Sequence, residues 1–215
     1  MHKIPNLSLI CSWFVSCLIV GCAHNTRKPS TKAAVTPHIA VQQLLSHAKL
    51  PPENLQPTKT NATTESRIQS RPFEIVLPVK RLKINQRFYI TRRHEHLGVD
   101  LGGRRGDPIY AATSGTVVYA GTGFHGYGKM ILVAYNKKWA TLYAHMNRLR
   151  VRTGWRVRAG QRIGDMGRTG YATGVHLHFE LLLNKLPINP LPYLRQAARR
   201  NHNHNHNHVR GVANR

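Results

Sequence analysis

Acidic residues are scarce in this chain: eight Asp and Glu stand against 32 Lys and Arg, a formal charge of +24 over 215 residues. Such an excess predicts attraction to anionic surfaces without saying whether nucleic acid, phospholipid, lipopolysaccharide or wall polymer is meant. Cysteine is as scarce. Cys11, Cys17 and Cys22 are the three copies, all within the first 22 residues, so neither a disulfide framework nor a Cys-type zinc finger organises the rest. Long apolar runs are missing too, because the stretch from Leu7 to Val20 is too short for an ordinary spanning helix. Helical periodicity is almost absent, and the length leaves room for one domain plus tails.

What the N-terminus does contain is informative. Lys3 precedes the apolar run, which ends at Ile19-Val20-Gly21-Cys22, and small residues before a cleavage point suit a signal peptide. The tetrapeptide resembles the bacterial lipoprotein box, in which the Cys becomes the acylated first residue. The expectation is a signal peptide over 1–21 and a membrane anchor through a lipid on Cys22. Export would place the protein in the bacterial cell envelope, on the outer-membrane or periplasmic side if the cell is Gram-negative. It favours anionic envelope polymers over nucleic acid as partners of the charge.

Residues 22–72 are rich in Ala, Thr, Pro, Asn, Gln, Ser and Lys and read as a flexible linker. One short helix is expected there, with Val41, Leu44, Leu45 and Ala48 at helical spacing and Pro51-Pro52 as its stop. The domain is expected over 73–195, where β-rich runs alternate with Gly and Asn: Phe73 to Val79, Gly115 to Tyr119, Met130 to Tyr135, Ala140 to Tyr143 and Val175 to Leu182. Strands at this spacing predict an all-β fold, a mostly antiparallel sheet or sandwich core. Residues 196–215, Arg-rich and then an Asn-His repeat, read as a low-complexity disordered tail. Gly121 to Gly126 fits a dinucleotide fingerprint, but a second strand follows where that motif needs a helix. A hairpin connection is the better reading.

Chemistry concentrates in two clusters. In His176-Leu177-His178-Phe179-Glu180, strand alternation puts both imidazoles and the carboxylate on one face. Upstream, His96 and Asp100 are four apart in His94-Glu95-His96-Leu97-Gly98-Val99-Asp100. Neutral His and Asp are ordinary Zn²⁺ ligands, and three of them with one position left for water is the arithmetic of a catalytic site.

With Tyr143-Ala144-His145 between the clusters and Thr169-Gly170 before the second, the order of motifs from about Val79 to Pro192 resembles the lysostaphin/LytM-type zinc metallopeptidases, which cut peptidoglycan peptides. The resemblance implies an active-site groove across the sheet and one Zn²⁺ per domain. It makes His96, Asp100 and His178 the metal ligands, and His145 and His176 the catalytic histidines beside the metal-bound water. Glu180 is then a candidate acceptor orienting a histidine, or merely a strand carboxylate. Arg87-Phe88-Tyr89 departs from the family's Arg-Phe-Gly. The function expected is a zinc-dependent endopeptidase hydrolysing peptidoglycan peptides in wall remodelling or division. The second reading is a non-catalytic LytM-type wall-binding regulator that activates an amidase.

Overall fold

A computed structural model describes residues 37–48 and 73–213. The expected signal peptide, the lipid anchor and most of the linker lie outside the described residues. In chain order the elements are α1 (Pro37–His47), β1 (Ile84–Gln86), β2 (Tyr89–Ile90), β3 (Glu95–His96), β4 (Val99–Gly102), β5 (Pro108–Tyr110), β6 (Gly115–Gly121) and β7 (Met130–Ala134). There follow β8 (Trp139–Ala144), β9 (Arg148–Leu149), β10 (Arg156–Val157), β11 (Arg162–Asp165), β12 (His176–Leu183), β13 (Leu186–Ile188) and α2 (Leu191–Ala213). The main sheet runs β1-β4-β12-β8-β7-β6-β10 with β13 beside β12, and β5-β11-β9 and β2-β3 form two smaller sheets. All paired strands are antiparallel.

The hydrophobic pattern explains why β12 is central. Leu177, Phe179 and Leu181 are fully buried, and Leu177 and Phe179 join Val99, Leu101, Ile131, Val133 and Tyr143 in the larger core. The other face carries His176, His178 and Glu180, and then Leu182, which packs with Met130, Leu132, Leu142, Ala144 and Tyr127. Fully buried Val41 from α1 closes this second cluster. The linker helix therefore has a seat on the sheet, at the apolar end of the face that bears the histidines.

Two elements depart from the sequence reading. Phe73 to Val79, expected as a strand, has none of its residues in strand pairing. Pro78 offers no N–H for a ladder, and the segment instead makes separate bonds, Val76 N–H to the Ala112 carbonyl and Tyr110 N–H to the Pro78 carbonyl, both 2.9 Å. Its Ile75, Leu77 and Val79 still point into the core. At the other end, α2 starts at an Asn189 cap, whose Oδ1 accepts the Leu191 N–H at 3.0 Å. Leu191, Leu194 and Ala197 at three-residue spacing bury its inner face, and Arg200 donates to the Ile75 carbonyl at 2.7 Å. The Asn-His repeat continues on the same helix.

Candidate metal centre

Register assembles the site. In the ladder β4–β12 His178 lies opposite Asp100, and in β12–β8 the same His178 lies opposite Ala144, the residue before His145. The hairpin β2–β3 places His96 at the edge of this pair, with Tyr89 as its cross-strand partner. His96, Asp100, His145, His176, His178 and Glu180 thus line one pocket of about 350 Å³. His94, the other upstream imidazole, is exposed in the turn and bonded only to Thr91.

Three atoms converge. His96 Nε2 lies 3.0 Å from Asp100 Oδ1 and 3.1 Å from His178 Nδ1, and His178 Nδ1 lies 2.9 Å from Asp100 Oδ1. The outer nitrogens show which lone pairs face inward. His96 Nδ1–H donates to the Arg87 carbonyl at 2.8 Å, and His178 Nε2–H donates to Glu180 Oε1 at 3.0 Å. In the neutral rings that leaves His96 Nε2 and His178 Nδ1 as bare acceptors beside a carboxylate oxygen. Three acceptors this close repel unless a proton or a cation sits among them. A nitrogen, nitrogen and oxygen set with its outer nitrogens engaged by a carbonyl and a carboxylate fits a divalent ion such as zinc.

The electrostatics carry the same signature. Burial would raise the Asp100 carboxyl, but hydrogen bonds with His178 and His96 hold it well below the usual range. Burial would lower His178, but Asp100 and Glu180 on either side push it up to about 9. Glu180 is fully buried and also accepts from Tyr127 Oη–H at 2.6 Å. Burial and then Glu180 push the Tyr127 hydroxyl well above its ordinary value.

Gly98 shows why the local sequence is tight. A Cβ there would lie 2.6 Å from the Phe179 carbonyl and 2.8 Å from His178 Cε1, so only glycine lets the imidazole lie against the β3–β4 turn.

His145 and His176 sit at the pocket's flank, their rings 4.8 Å apart. Each has its Nδ1 within bonding distance of a backbone carbonyl, Thr169 at 2.8 Å and Gly174 at 3.0 Å. Nε2 is left facing the cluster, and His176 Nε2 lies 3.5 Å from Asp100 Oδ2. His145 adopts φ of 59°, uncommon for a residue with a Cβ. Its N–H is fixed to the Tyr127 carbonyl at 2.9 Å. Burial, and then the neighbouring His178 and His176, push its imidazole down to about 4.

A pH dependence follows with a definite sign. His145 has a folded value below the ordinary 6.5, so in the metal-free protein the unfolded chain binds the extra proton as pH falls. Stability should drop from pH 6.5 towards 4, by up to about 1.4 kcal/mol per pH unit. Urea midpoints across that range measure it. His145→Gln should flatten the slope, and an unchanged slope would contradict the assignment.

Several contributors have no signal in residue type, since Arg87, Thr169 and Gly174 act through backbone carbonyls. Tyr127 and His125 fall in the β6–β7 connection, which the sequence read as a hairpin. His125 meets Tyr171 ring to ring at 4.7 Å, and the two also share a hydrogen bond. His38 of α1 lines the same pocket, and nothing in the linker's sequence points there.

Residues 94–190 match the model of peptidase family M23. Over 97 residues the chain is 43% identical to the lipoprotein NlpD of Yersinia enterocolitica, a match covering 45% of this chain and 99% of that protein. The chain belongs to peptidase family M23. Its M23 region is 45% identical over 97 residues to the lipoprotein NlpD/LppB homolog of Pseudomonas aeruginosa, and 41% identical over 99 residues to the murein hydrolase activator NlpD of Escherichia coli K12. These matches cover 45% and 46% of this chain but 32% and 26% of those proteins, so the chain spans a third of their length or less.

Among solved structures, lysostaphin of Staphylococcus simulans aligns with TM-score 0.50 at 34% identity, over 54% of this chain and 50% of that one. A chain of the SpoIIQ–SpoIIIAH pore forming complex aligns with TM-score 0.51 at 25% identity, over 56% of this chain and 90% of that one. The fold is that of a peptidase, as the lysostaphin/LytM resemblance implied.

The expected activity is corrected by the same comparisons. A zinc-dependent endopeptidase hydrolysing peptidoglycan was the first expectation, and it rested on the complete set of histidines and Asp100. Relatives 41% identical across this region are named murein hydrolase activators, which favours the regulator reading instead. The inference failed at one step. A ligand set speaks for a metal, whereas activity depends on what the groove admits, and one fold serves several functions.

Proposed function

We propose that this chain is a lipid-anchored envelope protein whose M23 domain activates a murein hydrolase. The observation that carries the reading is the 41–45% identity to NlpD proteins over 97 and 99 residues, in a chain whose candidate site lies wholly within the M23 match at 94–190. In this reading His96, Asp100 and His178 hold one Zn²⁺, which supplies a Lewis-acid centre. Through these residues β3, β4 and β12 are braced as one rigid wall of the groove. His145 and His176, pinned at Nδ1 by backbone carbonyls, present Nε2 as acceptors to whatever enters.

The groove's rim suits a protein or peptide partner. Tyr171 lines the pocket and is 73% exposed, and Tyr89 and Ile90, cross-strand from the pocket residues His96 and Glu95, are 39% and 62% exposed; exposed aromatic and aliphatic side chains near a concavity are the usual anchors of an interface. The Cys22 anchor and the basic surface would hold the domain at the envelope, where murein and its hydrolases lie.

The test is release of dye from labelled murein by a purified murein hydrolase, with and without the full chain. The chain alone should release nothing, and adding it should raise the hydrolase rate at least about tenfold, the measure of ~1.4 kcal/mol of coupling. Tyr171→Ala with Ile90→Ala should remove most of that gain. No stimulation of any murein hydrolase, or release by the chain alone, would overturn the proposal.

A further inference from the structure

A second cavity, of about 580 Å³, lies beyond the metal pocket and shares no lining residue with it. Lys80, Arg81, Lys83 and Arg104 line it together with a single carboxylate, Asp107. That carboxylate is turned onto its own loop: Oδ2 accepts the Arg104 N–H at 2.8 Å, and Oδ1 lies 3.8 Å from Arg104 Nε. Among the described residues Lys80, Arg81 and Lys83 have no ion-pair partner. The wall behind them is apolar, with Val79 at 6% and Met166 at 1% exposure. Like charges gathered in a concavity with low-dielectric walls focus their field and raise the local concentration of anions.

We infer that this cavity binds a phosphate group, carried on a lipid headgroup or free. The charge count favours phosphate over a carboxylate. Four cations against one occupied carboxylate leave about three charges to compensate, and a phosphomonoester brings up to −2 with three acceptor oxygens. Arg81 and Arg104, both exposed, carry planar forks able to take it bidentately, and the exposed Lys80 and Lys83 add mobile point charges. The site's place is also useful. Asp100 and Gly102 lie two residues apart on β4, about 7 Å along a strand, so an anion held here would fix the groove's orientation against a phosphate-bearing surface. The inference does not depend on the murein hydrolase reading.

The experiment uses the full chain with Cys22→Ser, so that no acyl chain contributes. Inorganic phosphate is titrated calorimetrically, and phosphatidylcholine vesicles with and without phosphatidate are tested by co-sedimentation. The variant Lys80→Gln/Arg81→Gln/Lys83→Gln is compared with Arg92→Gln/Arg93→Gln/Arg158→Gln, which removes the same charge from exposed positions elsewhere. The cavity variant should lose at least about tenfold in affinity, and the control no more than about threefold. Loss on phosphate alone supports free phosphate as the ligand, and loss on phosphatidate vesicles supports the headgroup. Equal loss in both variants would reduce the cavity to general surface charge. Absence of binding to either probe, or cavity-dependent binding of acidic muropeptides in their place, would also overturn the inference.

Discussion

Asp100→Asn should lower zinc affinity at least about a hundredfold, since even changes to groups outside the ligand set commonly cost 10–100-fold. Asn keeps the size of the side chain and the strand register, so the loss isolates the charge. Asp100 Oδ1 sits 2.9 Å from His178 Nδ1 and 3.0 Å from His96 Nε2, and Oδ2 lies 3.5 Å from His176 Nε2. It is the hub of the imidazoles. Its carboxyl stays ionised far below ordinary acid pH, so at neutral pH it meets an incoming cation as a full negative charge. An amide would bring either a weaker neutral oxygen or an N–H₂ aimed at nitrogens that must carry the metal. Competition with a chromophoric chelator gives the affinity, and circular dichroism checks the fold. Zinc binding within a few-fold of the parent protein would refute the ligand assignment. Hydrolase activation measured on the same variant separates the two proposals, because a bracing metal and the activator role can fail independently.

Much of this arrangement was legible in the sequence, and the reasons are physical. Period-two alternation in His176 to Leu181 fixes which side chains share a face, whatever the strand pairs with. Val99-Asp100-Leu101 obeys the same rule, and Leu101 and Val99 do reach the core while Asp100 faces the histidines. Short or irregular elements were not legible. The strands β2, β3, β9 and β10 have two residues each, too few for any periodicity. Phe73 to Val79 has a strand's alternation but not its pairing. The seat of α1 could not be read either: helical spacing predicts an apolar stripe at Val41, but not that the stripe covers Met130, Leu132 and Leu182. Activity was the least legible of all. Ligand residues report on the metal, whereas the proposed partner contacts, Tyr171 and Ile90, are exposed side chains that carry no motif.

Glu180→Ala should destabilise the protein by about 3–5 kcal/mol, the range for breaking a buried, hydrogen-bonded charge by removing one partner. Glu180 is fully buried in the middle of the central strand. Its Oε1 takes both the Tyr127 hydroxyl at 2.6 Å and His178 Nε2–H at 3.0 Å, while Oε2 has no partner. Truncation would leave two buried donors unpaired and a void beside the metal ligands. Glu180→Gln should cost less, because the amide oxygen can still accept one or both donors, although its N–H₂ then occupies the side where Oε2 has none. The two variants together separate packing from charge. Equal losses would point to the charge that both variants remove, and a larger loss for Ala to the void and the unpaired donors. Chemical denaturation of the metal-free protein measures both, and a Glu180→Ala loss under about 1 kcal/mol would count against the buried network. The consequence reaches beyond stability. Tyr127 belongs to the β6–β7 connection that also carries His125, so the chain Tyr127–Glu180–His178 ties one lip of the groove directly to the proposed metal ligands. In the proposed reading, a partner that displaces that lip would be felt at His178. In a domain proposed to act through its groove, this buried carboxylate is the residue best placed to couple the two.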